Sequence, residues 1–217
     1  SQTAFILVAG LLFFLGTLTW NKGPVYKDPF SLWNDTIRKN PVSWMAHNNF
    51  GNALLEKERI SEAITHYKTA IKLKPDFALA HYNLGNTLHE KERISEAITH
   101  YKTFIKLKPD YAPAYYNLGN ALLAIRETEE AISYYRMAIE LKPDYAPAHN
   151  NLGDALSAER KTEEAISHYK IAIKLKPDYA PTYNNLGGAL LDERQTEEAI
   201  SNFKMAIKLK PDFALAH

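Results

Sequence analysis

The side chains of this chain that can do chemistry are amides and imidazoles, and both recur at a fixed interval. Asn49, Asn83, Asn117, Asn151 and Asn185 are successive members of one series with a period of 34 residues, and Asn52, Asn86 and Asn120 lie three residues further on. Asparagine suits a helix interior poorly, because its amide competes for backbone hydrogen bonds, so its return there needs a reason. A carboxamide presents donor and acceptor side by side, which matches the backbone of an extended peptide one repeat at a time. The same amides can instead bond to neighbouring turns and hold successive repeats in register, and the residues leave both readings open. Asp154 and Gly188 replace the asparagine late in the series, which places an expected peptide nearer the first repeats. Tyr82, Tyr116, Leu55, Leu123 and Leu191 either add apolar pockets beside the amides or belong to the core between repeats.

The other reactive types point away from catalysis. There is no cysteine, which removes thiol chemistry, disulfides and thiolate metal sites. His47, His81, His149 and His217 share one slot of the period with Tyr115 and Tyr183, which marks them as packing residues. His66, His100 and His168 share a second slot and are expected to face solvent. No His-x3-His pair suggests a metal site, and no glycine-rich phosphate loop is present. The net charge is +1 with acids and bases interspersed, so the footprint of a nucleic-acid binder is missing. No enzyme, no metal and no cofactor is expected; the partner is a protein or peptide.

The elements that must carry the amides follow from spacing. Tyr82, Leu84, Gly85 and Leu88 form one helical stripe, and Ala97, Ile98, Tyr101, Ile105 and Leu107 form a second, with the polar turn Glu90 to Arg93 between them. Gly85 and Ala97 are small where the two helices cross, and Tyr101 fills the wider part of the groove. The pattern recurs: Phe50-Gly51, Leu84-Gly85, Leu118-Gly119, Leu152-Gly153 and Leu186-Gly187 are in register, as are Ala63 to Ala199, Tyr67 to Phe203, and Pro75 to Pro211. Asp76, Asp110, Asp144, Asp178 and Asp212 follow those prolines and are read as N-caps. Pro113, Pro147 and Pro181 fall in the next first turn. Glu129, Glu130, Glu163 and Glu164 open second helices that Lys72, Lys106 and Lys174 close, complementing the helix dipole.

A helix-turn-helix period of 34 residues with small residues, an aromatic and a closing proline at these offsets resembles the tetratricopeptide repeat. The resemblance implies an all-α, right-handed superhelix, an α-solenoid whose concave surface is lined by the first helices. Asn83-Leu84-Gly85-Asn86 and Asn117-Leu118-Gly119-Asn120 are similar to the asparagine ladder in the repeats of O-GlcNAc transferase. The chain departs from the family pattern where glycine is usual between the helices: Glu58, Glu92, Arg126, Arg160 and Arg194 stand there. If left-handed, each carries roughly 1 kcal/mol of strain.

Residues 44–217 then hold five repeats and the start of a sixth. Residues 22–43 read as a linker and a half-repeat, with Asp28 capping a lone helix, Pro29 in its first turn and Trp33 over the end of the stack. Residues 1–21 are apolar from Ala4 to Trp20, with no charge before Lys22, and are expected to form a transmembrane helix. Ser1 suggests missing upstream sequence, and an array stopping at His217 without a polar cap suggests further repeats or a covering molecule. Thr17-Leu18-Thr19-Trp20, Tyr26-Lys27-Asp28, Leu32-Trp33-Asn34-Asp35-Thr36 and Asn40-Pro41 resemble the junction in membrane-embedded O-mannosyltransferase-like proteins, which implies repeats on the extracytoplasmic side. Lys22, Lys27, Arg38 and Lys39 favour the cytoplasmic side instead. The leading expectation is a membrane-tethered protein–protein interaction scaffold that binds an extended partner segment in its concave groove. The alternatives are the acceptor-recruiting end of an integral-membrane glycosyltransferase and a self-associating subunit of a filament or tube built by stacked repeat faces.

Overall fold

Eleven α-helices run through residues 28–211, the part of the chain that the computed structural model describes, with no strand among them. They are α1 Pro29–Lys39, α2 Trp44–Leu55, α3 Ile60–Leu73, α4 Ala78–Glu90, α5 Ile94–Leu107, α6 Ala112–Ala124, α7 Thr128–Leu141, α8 Ala146–Ala158, α9 Thr162–Leu175, α10 Ala180–Asp192 and α11 Thr196–Leu209. The apolar helix expected over residues 4–20 lies outside the described residues. Among these, no helix is long and apolar enough to cross a membrane.

The lone helix starts as its sequence dictates. The Asp28 carboxylate accepts the Ser31 N–H at 2.7 Å, and that bond holds the Asp28 carboxyl below the usual carboxylate range. Pro29 occupies the first turn. Phe30 supplies the aromatic contact, 5.0 Å from the Phe50 ring, with the Arg59 guanidinium 5.2 Å from the Phe30 centroid; Trp33 is half-buried.

The repeat aspartates do not cap. N-cap positions fall on Tyr111, Tyr145 and Tyr179, none with a side-chain cap bond. Each helix starts one residue later than the aspartate requires, and α4 keeps the same register with Leu79 in place of the proline. Asp76, Asp144 and Asp178 instead occupy turns closed by Phe77 N–H to Lys74 O at 3.1 Å, Tyr145 N–H to Lys142 O at 3.1 Å and Tyr179 N–H to Lys176 O at 3.4 Å. Asp110 likewise precedes its cap, and Asp212 lies outside the described residues.

Between the helices of each repeat, Glu58, Glu92, Arg126, Arg160 and Arg194 have φ of 58°, 58°, 65°, 58° and 59°. The following residue bonds back across the turn, as Lys161 N–H does to Leu156 O at 2.9 Å, while Arg160 N–H reaches Ser157 O at 3.0 Å. This pair of bonds is the Schellman motif, which satisfies carbonyls that the helix end leaves open. The sharp reversal lays the second helix on the first. There the glycine matters: a Cβ on Gly119 would lie 2.6 Å from Tyr135 Cε1, and one on Gly153 2.5 Å from Tyr169 Cε1.

The chain divides into two compact units within α4, one ending at Leu84 and the other beginning at Gly85. In the first, α1 packs on α2 and α2 on α3, around buried Leu54, Ala63, Tyr67 and Ala70. In the second, α6–α7, α8–α9 and α10–α11 are hairpins, each packed on the next, with Leu118, Leu122, Tyr135, Leu152 and Leu156 at most 2% exposed.

Candidate functional site

A repeated rung joins the amide slots to the tyrosines beneath them. In the second unit Tyr101 donates its hydroxyl to Asn86 Oδ1 at 2.9 Å, and Tyr135 to Asn120 Oδ1 at 2.7 Å. The next repeat then donates to the same oxygens: Asn117 Nδ2 reaches Asn86 Oδ1 at 3.0 Å, and Asn151 Nδ2 reaches Asn120 Oδ1 at 2.8 Å. The first unit repeats this with Tyr67 to Asn52 at 2.7 Å and Asn83 to Asn52 at 3.2 Å. Asn83 also donates to the buried Asn48 at 3.1 Å, and Asn48 donates to Asn49 at 3.1 Å. Asn49, Asn83, Asn86, Asn117, Asn120, Asn151 and Asn185 are half-buried and Asn52 is exposed. The amides therefore do hold repeats in register.

The rung also settles the orientation of the second slot. With both lone pairs of Oδ1 used from within, the Nδ2 groups of Asn52, Asn86 and Asn120 donate to no other described residue. At Asp154 the rung keeps its acceptor and loses this donor. Oδ1 takes Tyr169 OH at 2.7 Å and Asn185 Nδ2 at 2.7 Å, and Oδ2 takes only Asn150 Nδ2 at 3.3 Å. Burial pushes the Asp154 carboxyl up, and these three bonds oppose the shift. Burial, then the Asp154 charge, also pushes the Tyr169 phenol up.

The histidine slots meet, contrary to the expectation that His66 and His168 face solvent. His47 Nδ1 lies 2.9 Å from His66 Nδ1, and His149 Nδ1 lies 3.0 Å from His168 Nδ1. His47 and His149 donate through Nε2 to Pro41 O at 2.9 Å and Pro143 O at 3.0 Å. Their Nδ1 atoms are thereby acceptors, and His66 and His168 donate through Nδ1. The proline that closes the preceding repeat leaves its carbonyl open, which draws the first ring inward and gives the second ring a partner. His100 is half-buried too. Among the described residues no group of three or more potential ligands is placed to hold a metal ion.

A family model described as TPR repeat matches residues 51–92, 85–125 and 160–193. Others described as tetratricopeptide repeat match residues 112–145, 134–167 and 180–213. The chain belongs to the tetratricopeptide repeat family. Among solved structures, this TPR chain is similar to YrrB, described as a TPR protein with an unusual peptide-binding site: 26% identity, TM-score 0.73, covering 85% of this chain and 95% of that one. It is similar to MamA at 30% identity and TM-score 0.71, covering 76% of this chain and 96% of that one. A MamA from Desulfovibrio magneticus RS-1, at 21% identity and TM-score 0.73 over 78% of this chain and 96% of that one, shares the fold. No curated protein matches the chain.

The TPR fold is consistent with a protein–protein interaction scaffold, and nothing in these matches points to a catalytic activity. The resemblance of the junction to O-mannosyltransferase-like proteins finds no support in them. The TPR tyrosines, expected to fill the groove, also bond through their hydroxyls, as Tyr101 and Tyr135 do. A signal was available: where Phe203 lacks the hydroxyl, Gly188 lacks the amide.

Proposed function

We propose that this chain is an interaction scaffold whose first helices capture an extended segment of a partner protein, with the amide donors of Asn86 and Asn120 bonding the partner's backbone carbonyls. One observation carries the reading: each of these amides is held by its oxygen from two sides, and its NH2 group has no partner among the described residues and is not buried. Asn117 and Asn151 hold these two donors in place through the oxygens of Asn86 and Asn120. A pre-oriented donor binds without losing rotamer freedom at the moment of association. The similarity to a structure described as having a peptide-binding site favours the same use here. We further propose that residues 4–20 tether the scaffold to a membrane with the repeats on the extracytoplasmic side, on the strength of that apolar run and the junction resemblance. Resistance of the full chain to alkaline extraction from membranes, with repeats open to externally added protease, is the expected result.

The test of capture uses a substitution that the chain itself makes at Asp154. Asn86→Asp with Asn120→Asp keeps both acceptors for Tyr101 and Tyr135 and replaces the NH2 donors by acceptors. Decapeptides selected on the native chain by phage display should lose about 10- to 100-fold in affinity, as two hydrogen bonds to backbone imply. Unchanged affinity in a calorimetric titration, or selection that enriches no peptide, would remove these donors as the binding site.

A further inference from the structure

Two departures from the preceding repeats open space next to each other in the second unit. Position 150 carries asparagine, as 48 and 184 do, where the two preceding repeats carry Tyr82 and Tyr116. Its buried amide turns inward, accepting from Thr182 Oγ1 at 2.8 Å and donating to Asp154 at 3.3 Å. Beside it lies a largely apolar cavity of about 210 Å³ lined by Tyr116, Pro147, Ala172, Lys176 and Tyr179. The Lys176 ammonium is 5.0 Å from the Tyr179 ring centroid, so the aliphatic and aromatic surface, rather than the charge, forms the wall.

The second departure is Gly188, which stands in the slot of Asn86 and Asn120. A Cβ there would meet nothing within 4 Å. The vacancy belongs to an open, mostly polar depression of about 430 Å³ bounded by Asp154, Asn184, Asn185, Gly188 and Asp192. Asp154 and Asp192 are its charged groups, and no described lysine or arginine pairs with either. The hydrogen bond from Asn150 to Asp154 is the shared wall of the two spaces.

A cavity that would take an apolar side chain, joined to a depression whose only charges are carboxylates, selects by two properties at once. An unpaired, partly buried carboxylate gains most from a cation. We infer that the partner segment carries an apolar side chain that fills the space beside Tyr116 and Pro147, next to an arginine or lysine that enters the depression left by Gly188 and meets Asp154 and Asp192. This rests on the capture reading above and adds the partner's chemistry to it. It also moves the specific contacts from the first repeats, where the unbroken amides would put them, to the third through fifth.

The experiment uses the full chain and three degenerate decapeptide pools, whose positions are drawn from Leu and Arg, from Leu and Glu, or from Ser and Arg, so that every spacing is present. In fluorescence anisotropy the Leu/Arg pool should bind at least 10-fold more tightly than either other pool. Gly188→Asn, which restores the repeat's own residue, and Asp192→Asn should each remove most of that preference while circular dichroism shows an intact fold. Equal or tighter binding of the Leu/Glu pool would overturn the inference by assigning recognition to Lys176. A preference that survives Gly188→Asn overturns it as well. If the three pools bind alike and Asn86→Asp with Asn120→Asp weakens all of them, capture stands and the two-pocket assignment falls. If no pool binds, both fall.

Discussion

Gly187 and Gly188 are neighbours in α10 with opposite surroundings: a Cβ on Gly187 would lie 2.6 Å from Phe203 Cε1, while one on Gly188 would meet nothing within 4 Å. The first glycine is needed by the helix crossing. The second is a weak point in the helix that packing does not require.

Alanine at the two positions should therefore act with opposite sign. Gly187→Ala forces the Phe203 ring or a helix to shift and should cost about 1–3 kcal/mol. Gly188→Ala should raise stability by about 0.5–1 kcal/mol. Urea denaturation of the two variants checks both, and a loss of stability in Gly188→Ala would show that the open slot has a structural role.

The left-handed residues make a second set. Arg126, Arg160 and Arg194 hold φ of 65°, 58° and 59°, a conformation that costs a residue with a Cβ about 1–2 kcal/mol and glycine almost nothing. Glycine also loses more freedom on folding, so each replacement should gain about 0.5–1 kcal/mol. The three turns are far apart and should add. The triple variant should melt several degrees higher by calorimetry, at about 2–4 °C per kcal/mol for a chain of this size; no rise would mean that these side chains contribute bonds of their own.

The histidine pairs predict acid sensitivity. Burial first, then the facing ring, pushes His66 and His168 below their ordinary value of 6.5. Because the folded value is the lower one, the unfolded chain takes up protons first, and stability falls as pH drops below about 6.5 and levels off below the folded value. Asp154, pushed up by burial, works oppositely in a lower window: stability rises as pH falls through its raised value towards 3.8. The third repeat shows the non-titrating counterpart, with Tyr115 donating to Pro109 O at 2.9 Å and Tyr134 beside it. Replacing His47, His66, His149 and His168 together by Tyr should flatten melting temperature between pH 7.5 and 5.5. An unchanged slope would place the protons elsewhere.

The helix pairs and their left-handed turns were legible because each depends on local chemistry repeated five times. Asp28 was legible as a cap because nothing else competes for the Ser31 amide. Asp110, Asp144 and Asp178 misled because the same residue type serves a turn as readily as a cap, and the helix starts one residue too late for it. His66 and His168 misled because their partners lie 19 residues away, beyond what helical spacing alone can show. The amide rungs were half legible. Their period was plain, but the bonding of the amide oxygens depended on where the hydroxyls of Tyr101 and Tyr135 end up, which spacing does not give.

The rung has a consequence for how such an array can change length. Asn117, Asn151 and Asn185 each donate to an oxygen three positions past the equivalent residue of the preceding repeat. Excising one whole repeat would therefore bring together a donor and an acceptor of the same kind, with no orphaned amide at the seam. Recombination between near-identical stretches, such as Glu56 to Thr69 and Glu90 to Thr103, would shorten or extend the protein by whole modules without a compensating mutation.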